Sequence, residues 1–246
     1  MTSTVVDPGR EPYPVRLEGR LDPQTSRWVW LFKWLLAIPH VVVLFFLWIA
    51  ALVVTVVAGF AILFTRRYPD GMFDFVVGVL RWTWRVSFYT SGAFGTDRYP
   101  PFTLASVPDY PADLHVDRPG ELSRGLVLVK WWLLAIPHYL IIGVFAGGVG
   151  SGWHATAAGV SLISLLTFIA AVVLLFTGRY PRSLFDFVMG LNRWCFRVYG
   201  YVLLMTDRYP PFRLDAGGDD PGSAAGPPAV PTPDTGAHQA PVSEPV

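Results

Sequence analysis

A polar line runs along one face of each of two predicted helices. Each line contains one aspartate, one glycine and two arginines: Asp74, Gly78, Arg81 and Arg85 in the first helix, and Asp186, Gly190, Arg193 and Arg197 in the second. At about 100° per residue, the four members of a line fall within about 60° of one another. Carboxylates and guanidinium groups placed in this way predict either ion pairs inside the protein or contacts with charged lipid headgroups.

Two interpretations of these lines remain open. In the first, each helix lies at a membrane surface, where its arginines meet water and anionic headgroups and its aromatic faces enter the acyl chains. In the second, the lines are buried and pair across the two helices, with Gly78 and Gly190 permitting close helix approach. The pairs would then be Asp74 with Arg193 or Arg197, and Asp186 with Arg81 or Arg85. Charges at bilayer depth cost about 2.5–3.5 kcal/mol each, so a buried line would have to be paired or functional.

A histidine follows a proline at two further positions, His40 and His138. Such a residue can relay protons or bind a metal, but no Cys, Glu or second His lies at ligand spacing. We expect backbone groups at a helix kink to satisfy both histidines. The sequence also contains no nucleophile elbow, phosphate-binding loop or HExxH motif. We therefore predict no catalytic residue, no cofactor and no metal site, and we do not expect an enzyme.

Four motifs occur twice in the same order, which indicates an internal repeat. They are WLLAIPH at 34–40 and 132–138, LFTRRYP at 63–69 and LFTGRYP at 175–181, FDFV at 73–76 and 185–188, and TDRYPPF at 96–102 and 206–212. The second copy is longer by a segment that includes the glycine-rich residues 147–152. We predict a flexible N-terminus (1–12), two membrane repeats (13–104 and 105–214) and a disordered Pro/Gly/Ala-rich tail (215–246).

These motifs resemble those of a family of bacterial membrane proteins, common in actinobacteria, that carry a domain of unknown function, often in tandem. The resemblance rests on SRW to AIPH, LFTRRYP, FDFVVGVLRW and TDRYPPF and on their counterparts in the second copy. It covers roughly residues 13–104 and 110–214. It implies a membrane location, but it brings no activity, ligand or catalytic residue.

Each repeat contains a long apolar run that predicts membrane insertion. In residues 28–65 the only ionisable side chains are Lys33 and His40. As one helix this run would reach about 57 Å, against a hydrocarbon thickness of about 30 Å. We therefore expect either an interfacial helix followed by one span after Pro39, or a hairpin of two short spans. The glycine-rich residues 147–159 favour the hairpin.

The residues around the apolar runs predict the orientation of these runs in the membrane. Arginines precede and follow the first run, which predicts that both of its ends, and both termini, face the cytoplasm. Tryptophans at the start of each run suit an aromatic belt, and Lys33 and Lys130 are expected to reach outward to the interface. The flanking residues 15–18 and 99–104 are predicted either to pair into a small sheet outside the membrane or to form irregular loops.

The predicted fold class is thus mainly α and integral to the cell membrane. It has two tandem repeats, each a membrane-embedded helical segment or hairpin plus an amphipathic helix, with short extended flanks. The composition is 52% hydrophobic and 15% charged, with a net charge of +1, which gives no case for a nucleic-acid partner. The expected partners are the lipid bilayer, anionic headgroups, and other membrane proteins or a second copy of the chain. We predict a multi-pass structural or interaction component of the membrane; the alternative is a transporter or channel subunit with its site between the repeats.

Overall fold

The computed structural model describes residues 12–23, 25–26, 28–140, 161–217 and 219–220. These residues are mainly helical, and they contain one pair of strands. The helices are α1 (Trp30–Thr65), α2 (Asp70–Tyr89), α3 (Arg124–Val129), α4 (Leu162–Thr177) and α5 (Arg182–Val202), and a π-helical turn (Lys130–Leu134) follows α3; the strands are β1 (Val15–Gly19) and β2 (Ala112–Val116).

Helix α1 is continuous over 36 residues and includes Pro39. It is the one helix in the described part of the chain that is long and apolar enough to cross a membrane. Both predicted interruptions of the first run, after Pro39 and at a hairpin turn, are therefore wrong. The Tyr99 hydroxyl donates to the Leu36 carbonyl at 3.1 Å, in the turn that Pro39 weakens. The loop predicted at 147–159 lies outside the described residues.

The two strands pair antiparallel, with Leu17 opposite Leu114. The openings of the two sequence repeats therefore pair with each other, and the predicted pairing of residues 15–18 with 99–104 is wrong. Pro100 and Pro101 have no N–H to donate, so the segment 99–104 cannot supply a regular ladder of hydrogen bonds. It runs instead across α2.

Helices α2 and α5 form the middle of the molecule. α2 packs against α1 on one side and β2 on the other, and α5 packs against α4 and β1. The aromatic side chains Trp82, Trp84 and Phe88 of α2 are each at most 5% exposed. The interpretation in which these faces enter the acyl chains is therefore wrong, because they form the protein core.

Candidate functional site: matched histidine, lysine and arginine clusters

His40 is completely buried in a cage of three aromatic rings. It stacks on Phe102 at 4.0 Å between centroids, with Tyr99 at 4.8 Å and Trp82 edge-on at 5.9 Å. The indole Nε1 of Trp82 donates to Nδ1 of His40 at 3.2 Å, so the ring proton belongs on Nε2, which is buried and has no hydrogen-bond partner among the described residues. The partner of His40 is thus a side chain and not the backbone groups we expected.

His138 lies in a matching cage. It stacks on Phe212 at 4.7 Å and on Trp194 at 5.4 Å, and its Nε2 donates to the Pro210 carbonyl at 3.4 Å. Nδ1 then accepts from the Tyr209 hydroxyl at 3.2 Å. The backbone contact predicted for a histidine is present here, although the carbonyl comes from the TDRYPPF segment and not from the helix kink.

Lys33 and Lys130 are buried near these cages. Nζ of Lys33 donates to the Thr96 carbonyl at 2.7 Å and lies 2.8 Å from the Asp97 carboxylate. Lys130 makes the same two contacts with Thr206 and Asp207. Both lysines were expected to reach outward to the membrane interface; instead each points inward and fixes a TDRYPPF segment to the start of an apolar run.

The π-helical turn keeps the second lysine and histidine in register. Seven positions separate Lys33 from His40, whereas eight separate Lys130 from His138. A π turn accommodates one extra residue within a helix, and the turn at Lys130–Leu134 coincides with this insertion. Both side chains consequently reach equivalent partners in spite of the different spacing.

The first arginine of each polar line donates to a carbonyl on the outer edge of a strand in the opposite repeat. Arg81 donates to the Leu114 carbonyl of β2 at 3.0 Å, and Arg193 donates to the Leu17 carbonyl of β1 at 3.0 and 3.1 Å. Leu17 and Leu114 are cross-strand partners whose outward backbone groups would otherwise be unpaired at the sheet edges. The polar lines therefore join the two halves of the chain through backbone carbonyls.

Each edge also receives a carboxylate, but from different places in the sequence. Asp113 lies beside Arg81 at 3.1 Å and accepts from the Leu114 N–H at 2.9 Å. On β1 the position that corresponds to Asp113 is Arg16, which has no carboxylate. Asp220 supplies the carboxylate at this edge, where it lies 3.0 Å from Arg193 and accepts from the Leu17 N–H at 3.2 Å. Asp220 is only 3% exposed. The packed chain thus extends beyond Leu214, where we predicted the disordered tail to begin; residues 221–246 lie outside the described residues.

The second arginines differ between the two clusters. Arg197 pairs with Asp215 at 2.6 Å and Asp220 at 3.4 Å. Arg85 is also completely buried, but within the part of the chain that the structure describes it donates only through Nη2, to the carbonyls of Thr103 and Ala105 at 2.8 Å each. Burial lowers the pKa of Arg85 and of Arg193 below the ordinary arginine value, although a guanidinium stays protonated.

The two glycines of the polar lines each lie against an extended segment of the chain and not against another helix. A Cβ atom on Gly78 would lie 2.7 Å from the Cβ of Leu104, in the segment that follows TDRYPPF. On Gly190 the nearest atom would be the Cβ of Leu214, at 3.5 Å. The predicted role in helix–helix approach is therefore corrected to a role in seating these two segments.

The two aspartates of the lines do not reach the arginines assigned to them. Asp74 is exposed and pairs with Arg118 at 2.6 Å, and Asp186 is half-buried, its backbone carbonyl accepting from Gly217 at 3.3 Å. Instead, Asp113 pairs with Arg81, Asp215 with Arg197, and Asp220 with both Arg193 and Arg197. The cross-repeat pairs of the second interpretation are therefore wrong.

Because Asp74 and Arg118 are both exposed, their pair is screened by solvent. We expect Asp74→Asn and Arg118→Ala each to leave the thermal unfolding temperature of the detergent-solubilised protein almost unchanged. A large loss in either variant would mean that the pair lies in a desolvated environment, contrary to the structure.

The pairing of Asp215 should make stability depend on pH. Burial alone would raise the pKa of Asp215, but Arg197, with Arg213 and Arg193, outweighs burial and holds this pKa below its ordinary value. Such a carboxyl stabilises the fold above its unfolded pKa, and this contribution is lost as the pH falls below about 4. Urea titrations at several pH values measure the free energy of unfolding, and Asp215→Asn is expected to reduce its loss at acid pH. The same substitution at the exposed Asp219 serves as the control and is expected to leave this loss as it is in the parent protein. An equal loss in Asp215→Asn and the parent protein would contradict the pairing of Asp215.

A polar cavity of about 200 Å³ lies between the two halves. Its lining includes the hydroxyl-bearing residues Thr83, Ser87, Ser91, Ser161 and Ser164, together with Asn192. The Asn192 amide donates to the carbonyls of Gly92 and Val188, each at 2.9 Å. Sequence reasoning missed this cavity because single serines within apolar helices carry no spacing signal.

Comparison with known proteins identifies one family. Residues 27–103 and 153–213, together more than half of the chain, match the family model described as "Domain of unknown function (DUF4389)". No curated protein and no solved structure gives a significant match.

Proposed function

We propose that this chain, which belongs to the family of the domain of unknown function DUF4389, is an integral protein of the cell membrane that acts as a structural or interaction component. In this proposal both termini are cytoplasmic and the chain catalyses no reaction. Its partners are the lipid bilayer, anionic headgroups, and membrane proteins or further copies of itself.

The observation that carries the proposal is the inverted polarity of α1. Its buried stripe contains charged, polar or small residues, among them Lys33, His40, Ala51, Thr55 and Ala58. Its outward face is apolar, and six of its aromatic side chains are at least 60% exposed: Phe32, Trp34, Phe45, Phe46, Phe60 and Phe64. A helix in water buries its apolar face and exposes polar side chains, whereas helices in lipid place small and polar residues at protein contacts.

The use of the internal charges favours a structural role. Lys33, Lys130, Arg81 and Arg193 bond to backbone carbonyls and carboxylates of their own chain. These four cations hold segments of their own chain together, and the outward face of α1 that remains available to other molecules is apolar.

Membrane fractionation tests this proposal. The parent protein is expected to stay in the membrane pellet after washes with high salt and with alkaline carbonate, and to dissolve only in detergent. Replacing Phe45, Phe46 and Phe60 together by aspartate should reduce this retention, because the outward face would then carry three charges. As a matched control, the triple replacement of Asp70, Asp74 and Glu121, which are exposed and polar, by asparagine or glutamine should leave retention intact. Release of the parent protein by salt alone would refute the proposal.

Transport of a small molecule or ion is the second candidate, and the polar cavity supports it. Side chains from both halves line this cavity, as expected for a site at a repeat interface. Proteoliposomes would decide between the two functions. Solute or proton flux that exceeds that of empty vesicles and falls in Asn192→Leu would favour transport, whereas flux equal to that of empty vesicles favours the structural role.

A further inference from the structure

The orientation of α1 in the membrane follows from where its neighbours lie. We propose that the chain is monotopic: α1 lies parallel to the membrane plane, with its outward apolar face inserted into a single lipid leaflet. This inference rests on the membrane location proposed above and replaces the multi-pass arrangement expected from the sequence.

The first argument is the length of the apolar face. The strongly exposed rings begin at Phe32 and end at Phe64, a distance of about 48 Å at 1.5 Å per residue. The hydrocarbon core is about 30 Å thick. An upright helix would therefore hold a large part of this face in water, whereas a helix in the plane can bury all of it.

The second argument is the position of the sheet. Helix α2 runs antiparallel to α1: Nζ of Lys33 lies over the Tyr89 ring at one end, and Nε1 of Trp48, in the middle of α1, donates to the Thr83 hydroxyl at 3.0 Å. The strands attach to the same part of α2, through Trp84 to the Glu18 carbonyl and Arg81 to the Leu114 carbonyl. The sheet therefore lies above the central part of α1, on the side away from the apolar face.

An upright α1 would carry this sheet to the depth of the hydrocarbon core. The strands and the residues beside them hold Arg16, Glu18, His115 and Asp117, none of which is fully buried. Charged groups at that depth cost about 2.5–3.5 kcal/mol each on insertion scales. With α1 in the plane, the same groups remain in water.

The third argument is that the apolar face continues beyond α1. Trp30 of α1 and Phe168 of α4 lie edge to face at 6.0 Å between centroids. A groove of about 550 Å³ separates α1 from α3, and apolar side chains from both helices line it, including Leu52, Phe60 and Leu128. Leu128, Phe168 and Phe176 are 58%, 52% and 79% exposed, so these helices add their own apolar surface to the inserted face.

Basic residues at the helix ends match the surface of such a leaflet. Exposed arginines follow α1 and α4 or begin α3 and α5: Arg66, Arg67, Arg124, Arg179 and Arg182. Near an anionic surface each basic residue contributes about 1 kcal/mol. In the plane of the membrane, both ends of α1 can meet the same headgroup layer.

The depth of three positions along α1 tests the orientation. In a Cys195→Ala background, Phe32, Phe46 and Phe64 are replaced one at a time by cysteine and labelled with an environment-sensitive fluorophore. The full chain is reconstituted into vesicles of phosphatidylcholine and phosphatidylglycerol that carry nitroxide quenchers at defined depths. We expect the same shallow depth for all three labels, about 5–10 Å into the boundary between headgroups and acyl chains. A label at Phe46 that lies deeper than those at Phe32 and Phe64 would overturn the proposal.

Chemical accessibility provides a second, independent measurement. Gly71 and Ser91 are exposed, lie near opposite ends of α2, and therefore mark opposite ends of α1. In sealed vesicles, Gly71→Cys and Ser91→Cys are expected to react with a membrane-impermeant maleimide from the same side. Reaction from opposite sides would overturn the monotopic arrangement but leave the membrane location intact. Quenching of all three α1 labels by aqueous iodide, with no quenching from lipid, would instead refute the membrane location itself.

Discussion

Replacing Asp220 by alanine is expected to lower the free energy of unfolding by about 3 kcal/mol. The carboxylate lies 3.0 Å from Arg193 and 3.4 Å from Arg197, both at most 1% exposed, and it accepts from the Leu17 N–H. Removing one partner of a buried ion pair costs about 3–5 kcal/mol, because the remaining charge is left uncompensated. We place the effect at the lower end because Arg197 keeps Asp215 and Arg193 keeps its carbonyl contacts.

Thermal unfolding in detergent measures this effect, and the adjacent residue supplies the control. Asp219 is 73% exposed and pairs with an equally exposed Arg20, so Asp219→Ala is expected to change stability by no more than about 0.5 kcal/mol. For a chain of this size, the loss at Asp220 corresponds to a fall of about 6–12 °C in the unfolding temperature. Equal unfolding temperatures for the two variants would show that Asp220 does not hold the arginines.

Alanine at Gly78 and alanine at Gly190 are expected to have opposite effects, although the two positions match in the repeats. At Gly78 the new methyl group would lie 2.7 Å from the Leu104 Cβ and 3.2 Å from the Leu104 carbonyl oxygen, so backbone has to move. Overpacking of this kind costs about 1–3 kcal/mol. At Gly190 the nearest atom is 3.5 Å away, an ordinary contact, and alanine gains up to about 1 kcal/mol of helix propensity over glycine.

The two alanine variants control for each other, since each adds one methyl group to the middle of a helix. Chemical denaturation in the same detergent measures the free energy of unfolding of both variants and of the parent protein. The value for the parent is expected to lie between the values for the two variants. If both variants were more stable than the parent, the segment at Leu104 would have moved away from the new methyl group without loss of stability. That result would contradict the close approach seen at Gly78.

Sequence reasoning identified the residues of the arginine clusters but not their partners. The helical period placed Arg81, Arg85, Arg193 and Arg197 on common faces, and all but Arg81, which is 15% exposed at its side chain, are fully buried. The partners are carboxylates and carbonyls from segments that we predicted to be flanks or tail. Because chain topology, and not periodicity, brings those segments to the helices, one sequence without the fold could not supply them.

The prediction for α1 failed for a different physical reason. The argument for a break assumed that an apolar run must fit the thickness of a bilayer, which holds only for a helix that crosses one. Residues 44–54 contain neither glycine nor proline, and this absence was the better guide to one continuous helix. Similarly, the one-residue difference between the lysine–histidine spacings was visible in the sequence and could have predicted the π turn at Lys130–Leu134.

The bond between Leu17 and Asp220 also sets an order of events during biosynthesis. The two residues are 203 positions apart, and ribosomes add about 5–20 residues per second. Strand β1 must therefore wait for tens of seconds, with its outer edge open to other nascent chains, until Asp220 has been synthesised. Shielding of that edge by a chaperone or by the membrane surface would matter most in this interval, and a chain that ends before residue 220 would pair its two strands but leave the Leu17 N–H without its carboxylate.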